Sequence, residues 1–280
     1  MKPALRALIL IAGLLATALP VFPGTLKCPP DSTKVGNLCV DTYEASAWQI
    51  DPSNTSLLKK VFAGKATHAD LTEGGAMPLG GCTTGTSLFP SNFPSDGNWT
   101  PLPGSSPPSP GIYAVSIPGV APGAAISWFQ ANQACALSGK RLLRNAEWQR
   151  AAAGTPATPD DNATTCVTCS TCFAPHPSPG GPAATGSRSA CRSVWGLFDM
   201  SGNVDEWVED WVPQSTACPG WPLGFSENDM CLAGVSTTTG PGALIRGGHW
   251  NQGRGAGPLA VSGWADPGAQ VCAVGFRCAR

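Results

Sequence analysis

The chain has 280 residues, a formal net charge of −1 and only 12% charged residues, so it has room for one large domain or two small ones and lacks the basic stripe of a nucleic-acid-binding protein. The 34 glycines and 28 prolines argue against a helical bundle and for a loop-rich α+β or β fold, while ten tryptophans and nine phenylalanines mark a chain that still builds a core.

The chain opens as a secretory signal peptide. Lys2 and Arg6 form the charged start, Leu8 to Leu19 the short apolar run, and Ala16-Thr17-Ala18 a small-x-small cleavage site. Residues 1–18 are therefore expected to be removed, leaving 19–280 as an exported domain, periplasmic or secreted. The apolar run is short for a membrane span, which takes about 20 residues, so no stable span is expected after cleavage. All 12 cysteines follow the cleavage site. An even count in an exported chain points to disulfides, and Cys166-x-x-Cys169-x-x-Cys172 is read the same way because no His lies at zinc-site spacing.

Cys28 and Cys39 bracket a turn-rich segment that a disulfide could close, and Val40 to Ile50 contains a strand. Residues 51–125 read as irregular, with a Pro/Gly/Ser-rich surface insertion at about 84–125 that includes one short strand, Ile112 to Ile117. Two helices follow. Ser127 caps Trp128 to Ser138, stopped by Gly139, and Asn145 caps Ala146 to Ala153, ended by Gly154. Residues 154–190 are again irregular. Trp195 to Trp211 then packs three tryptophans beside Asp199, Asp205, Glu206, Glu209 and Asp210, with Gly202-Asn203 as a tight turn. Two readings fit this window: an aromatic core corner with solvated charges around it, or an oxygen-lined turn suited to a hard cation such as Ca²⁺. Residues 212–241 are loop-like, and Cys218 and Cys231 could close one of the loops. Ala243 to Trp250 is a strand running into a glycine turn, and Val274 to Arg280 holds a final strand. The segment Gly253 to Gly257 is permissive backbone rather than a phosphate loop, since no Lys-Ser/Thr follows it.

Four blocks in this order resemble the formylglycine-generating enzyme family, also called the sulfatase-modifying-factor domain. They are Asp41-Thr-Tyr-Glu-Ala-Ser; Ile126-Ser-Trp-Phe-Gln-Ala through Gly139-Lys-Arg-Leu-Leu-Arg-Asn-Ala-Glu-Trp148; Trp195 to Trp211; and Leu244-Ile-Arg-Gly-Gly-His-Trp with Gly275-Phe-Arg. The resemblance runs from about residue 40 to residue 280. It implies a single α+β domain of C-type-lectin-like kind with little regular secondary structure. It also implies a structural Ca²⁺ held by the side chains of Asp199 and Glu206 and the carbonyls of Gly202 and Val204. A second calcium position would fall near Asp161 or Asn162. It further implies a disulfide between Cys135 and Cys278.

The resemblance fails at the chemistry. The family's enzyme oxidises a substrate cysteine with a copper ion held by two thiolates, which suit soft Cu(I). Those two positions are Gln252 and Gly257 here, so no catalytic residue is carried over and copper is not expected. His249, Trp250, Asn251, Gln252 and Arg254 fall where the family binds its substrate and form a polar–aromatic ligand cleft. Arg246 and Arg277 are expected to pair with carboxylates at the edge of the core. The expected function is an exported, calcium-stabilised binding or accessory domain for a peptide, protein or small-molecule ligand, with no nucleic-acid partner. An oxidoreductase of the same family with a metal at His249 is the alternative, and a structural envelope protein the third reading.

Overall fold

The computed structural model describes residues 26–81, 88–156, 181–236 and 238–280. The signal segment, Cys82, Cys166, Cys169, Cys172, Asp161 and Asn162 lie outside the described residues.

Among the described residues three small sheets share the core. The first is ordered β1-β2-β12-β6, from Ser32–Val35, Leu38–Asp41, Cys278–Ala279 and Arg141–Leu142. The second is ordered β11-β7-β9-β10-β8, from Val274–Phe276, Asp205–Pro213, Pro241–Arg246, Val261–Ala265 and Met230–Cys231. The third is ordered β4-β3-β5, from Met77–Leu79, Ser46–Gln49 and Ile112–Val115. Four α-helices among the described residues accompany them: α1 (Thr55–Phe62), α2 (His68–Glu73), α3 (Trp128–Leu137) and α4 (Asn145–Ala151).

Strand β7 separates two cores because its side chains alternate in direction. Trp207 goes into one cluster with Ile245, Val274 and Phe276, and its Nε1 donates to the Ile126 carbonyl at 2.9 Å. Val208 goes into the other, with Trp148, Leu143 and Leu244. Both faces of its first half are therefore buried, and a cluster under α1 and α2 forms a third, outer core around Leu57, Leu71 and Tyr113.

Helix α3 starts where the sequence places it. The Ser127 side chain accepts from the Gln130 N–H and Gln130 reaches back to the Ser127 N–H, a capping box worth about 1 kcal/mol. Helix α4 begins one residue earlier than expected. Arg144 is the cap residue, and Asn145 is already helical because its N–H is taken by Asp210 Oδ2 at 2.6 Å.

The stretch 51–81 departs most from its irregular reading. Asn54 caps α1 and Thr67 caps α2 with a capping box to Asp70, and Leu57, Leu58, Val61 and Leu71 are buried beneath them. Within the expected insertion, residues 88–125 are loop apart from β5, which pairs with β3 from Ile112↔Gln49 to Val115↔Ser46.

Three disulfides join described residues: Cys28–Cys39, Cys218–Cys231 and Cys135–Cys278. The last ties α3 to β12 across 143 residues of sequence. Cys191 and Cys272 are also disulfide-bonded, and no described cysteine is free. Among the described residues no helix is long and apolar enough to cross a membrane.

Candidate functional site

The alternation of β7 also divides the acidic window. Glu206 points to the Trp148 side of the strand and Asp205 to the Trp207 side.

On the first side lies a buried ionic knot. Arg277, fully buried, donates to Glu206 Oε1 from Nη2 at 2.8 Å and from Nε at 3.0 Å, and to the carbonyls of Asp41 and Phe198. Trp148 Nε1 donates to Glu206 Oε2 at 2.7 Å. Glu44 accepts from Asn203 Nδ2 at 2.5 Å and from the Val204 N–H at 3.2 Å. Asp199 accepts from the Gly186 N–H at 2.7 Å. The turn has the expected backbone: Asp199, Gly202 and Asn203 all have positive φ. Burial drives the Glu44 carboxyl well above its usual range, and Asp199 and Glu206 nearby add to that. Burial likewise pushes Asp199 up to about 6.

This geometry bears on the calcium expectation at Asp199, Gly202, Val204 and Glu206. Both Glu206 oxygens are engaged by Arg277 or Trp148, so the carboxylate offers a cation no free face. The Arg277 guanidinium pairs directly with Glu206, while the Glu44 and Asp199 carboxyls beside it stay raised by burial. Among the described residues no three His, Cys, Asp or Glu side chains are grouped to hold a metal ion. As arranged here, the four residues do not fit a calcium shell that includes Glu206.

On the other side of β7 is a pocket of about 90 Å³, lined by Asp205, Asp229, His249, Gln252, Ser262 and Trp264 over an apolar floor that includes Ile245 and Val274. Each polar group has a local reason to be there. Asp205 opens β7, beside Val274 of β11, and accepts from the Gly248 N–H. Gly247 and Gly248, both at positive φ, turn the chain after β9 and deliver His249. Asp229 is fixed by the Val261 N–H at 3.0 Å and the Gly255 carbonyl at 2.8 Å through its own backbone. Gln252 bridges the wall: its Nε2 donates to Asp229 Oδ2, and its Oε1 accepts from the His249 N–H at 3.0 Å. Ser262 comes from β10.

Burial pushes Asp205 up to about 8, and the carboxylates of Asp229 and Glu206 push the same way. Burial lowers the His249 imidazole, against the pull of Asp229, so it is neutral at pH 7. Ser262 Oγ is buried with no hydrogen-bond partner. A carboxyl pair, a neutral imidazole, a primary amide and an unused hydroxyl thus border one small volume.

The expected cleft is only partly assembled. His249 and Gln252 line the pocket. Asn251 is exposed and its N–H donates to His249 Nδ1 at 3.3 Å. Trp250 buries its Nε1 without a partner. Arg254 pairs with Glu227 at 2.8 Å on the surface and does not line the pocket. Arg277 meets a carboxylate as expected. Arg246 does not: it lies over the Trp148 ring at 4.7 Å and donates to Asn145 Oδ1, Gln149 Oε1 and the Pro258 carbonyl. Asp205 was visible in the acidic window, but nothing in the sequence joins it to Asp229 and Ser262, because β-strand pairing alone brings them together.

At the two positions of the family's thiol pair, the substitution extends to the surroundings. Gln252 spends its amide on Asp229 and His249. Asn228 fills the space beside Gly257: a Cβ there would lie 2.3 Å from Asn228 Nδ2, which donates to the carbonyls of Arg254 and Ala256.

The sequence profile of the sulfatase-modifying factor enzyme 1-like domain matches residues 95–280. A serine/threonine-protein kinase, Pkn1 of Chlamydia trachomatis, is 30% identical over 168 residues, which is 55% of this chain and 23% of that protein. The chain thus spans less than a quarter of that relative. Among solved structures, the Major Tropism Determinant U1 variant aligns at 18% identity with a TM-score of 0.46, over 92% of this chain and 54% of that one. PvdO from Pseudomonas aeruginosa aligns at 19% identity with a TM-score of 0.37, over 87% and 80%.

Proposed function

This chain belongs to the sulfatase-modifying factor enzyme 1-like family, and from that premise we propose that it is an exported binding or accessory domain whose ligand cleft stands where the family's copper–thiolate centre would be. The observation that carries the reading is the refitting of both thiol positions. Gln252 is locked into a hydrogen-bonded wall, and the place of a second thiol is occupied by Asn228. Soft thiolates have no equivalent among amide and carboxylate groups, so copper–oxygen chemistry has no seat here. The chain's own residues keep the properties of a binding site: a small polar pocket on a rigid sheet, with a half-exposed Trp264.

The fold supports an extracellular or periplasmic setting through its disulfides, which persist in oxidising compartments. In this reading the Glu206–Arg277 pair does the work assigned to calcium at the Gly202-Asn203 turn. An ion held by Asp199 and the carbonyls of Gly202 and Val204 would gain Glu206 only by displacing Arg277. The ligand itself is a peptide, protein or small molecule, and the kinase activity in the name of the chlamydial relative stays with that protein.

Incubation of the purified chain with a sulfatase-motif peptide, copper and oxygen, read by mass spectrometry, tests the reading. The expected result is an unmodified peptide. Conversion of its cysteine to formylglycine would overturn it.

A further inference from the structure

We infer that the pocket bounded by Asp205, Asp229 and Ser262 receives a primary ammonium group, such as the end of a lysine side chain. The inference rests on the reading of this segment as a ligand site and names the chemistry of what enters it.

Three observations point the same way. First, two carboxyl side chains from different elements, Asp205 of β7 and Asp229 of the loop before β8, border one volume with no Lys or Arg among its lining residues. The two basic residues flanking the His249 turn are engaged elsewhere: Arg246 lies over the Trp148 ring, and Arg254 pairs with Glu227 on the surface. Second, Ser262 contributes a hydroxyl that is buried and unpartnered. Leaving such a group unsatisfied is costly in a folded chain, and an incoming donor would satisfy it. Third, the size is right for a side-chain head and wrong for a cofactor. At about 90 Å³ the pocket is far below the roughly 300–1,000 Å³ of a drug-sized ligand site.

An ammonium carries three N–H donors and no acceptor. Asp205, Asp229 and the Ser262 oxygen are the acceptors in this assignment, and Trp264, half-exposed, lines the same volume. The apolar floor of Ile245, Val261 and Val274 would take the last methylenes of the chain behind the ammonium. A metal ion is the less suitable guest, because no three His, Cys, Asp or Glu side chains among the described residues are placed to hold one.

The test uses the full chain and three probes: N-acetyl-lysine methylamide, its ε-acetylated form, and N-acetyl-norleucine methylamide. Binding is followed by saturation-transfer NMR and calorimetry on the wild type and on the Asp229→Asn and Ser262→Ala variants. The expected result is saturable binding of the lysine probe alone, weakened about tenfold by each substitution, the usual consequence of losing one hydrogen bond to a charged group. Ser262→Ala is the cleaner variant, since its Oγ holds nothing in the free protein. Equal binding of the ε-acetylated or norleucine probe would overturn the ammonium assignment and leave the cleft as a site for another ligand. Failure of all three probes, or Ca²⁺ or Zn²⁺ binding that Asp229→Asn abolishes, would also overturn it. Only failure of all three probes together with an unliganded, copper-active enzyme would remove the binding-domain reading as well.

Discussion

Arg277→Met should be among the most damaging single substitutions in this chain. The guanidinium is the fixed cation beside three buried carboxyl groups, Glu44, Asp199 and Glu206, and it also serves the carbonyls of Asp41 and Phe198. Methionine fills most of the same volume, so the loss is electrostatic rather than a cavity. Removing one partner of a buried pair costs about 3–5 kcal/mol, because the remaining charge is left without compensation. Whole-domain stability is about 5–15 kcal/mol, so the variant should be marginal. For a chain of this size each kcal/mol moves the melting temperature by about 2–4 °C, giving a fall of roughly 6–20 °C. Guanidinium unfolding with the disulfides intact, alongside thermal scans, measures it. Glu206→Gln combined with Arg277→Met should recover part of the loss, since the pair is then removed together. A loss below about 1 kcal/mol would refute the structural role given to the pair. The same argument expects EGTA to leave the wild-type melting temperature unchanged, and a fall of several degrees would return a calcium ion to the turn.

Stability should decline as pH rises from about 4 towards about 8. Asp41 and Asp199 at about 6 and Asp205 at about 8 in the folded state all lie above their ordinary value of 3.8, so the folded chain binds more protons across that window and loses stability as they leave. Asp205→Asn should flatten the part above pH 6 in thermal scans; a curve that rises there would contradict the burial argument. Gly257→Ala should destabilise by about 1–3 kcal/mol through contact with Asn228 and through its backbone φ of 157°, and Asn228→Gly should relieve the contact part; fully additive losses would show that the two do not share the space. Ser262→Ala should stabilise the free protein by about 1 kcal/mol or more, because it deletes a buried hydroxyl that bonds nothing; a comparable loss in denaturant unfolding would mean that the hydroxyl has a partner.

Local signals were legible where they act over a few residues. Ser127 with Gln130, the Gly202-Asn203 turn and the Ile112 strand all follow from neighbouring side chains and backbone permissiveness. The Cys135–Cys278 bridge was legible only through the resemblance, since no local pattern links residues so far apart. Helices α1 and α2 were missed because Gly, Ser and Thr around them outweighed a short apolar stripe at Leu57, Leu58 and Val61. The pocket was half legible. His249 and Gln252 stand beside a glycine turn that announces exposed backbone, but Asp229 and Ser262 meet them through strand register, which depends on the whole sheet. Charge alone predicts a carboxylate partner for Arg246; instead an aromatic face and neutral amides take its planar cation on the edge of the core.

The position of β12 has a consequence for how the chain is made. Residues 278 and 279 lie between β2 and β6, pairing with Val40 on one side and with Arg141 and Leu142 on the other, and the Arg280 backbone bonds Cys39 in both directions. During synthesis the two flanking strands emerge from the ribosome long before the piece that joins them. Until it arrives, both present open edges, and the parallel partner of β7, Val274–Phe276, is missing as well. Both sheets are completed only by residues beyond 270, so their closure depends on pairings between distant parts of the chain, which form slowly. A nascent fragment stopped short of residue 278 would be a substrate for chaperones and proteases rather than a smaller working domain.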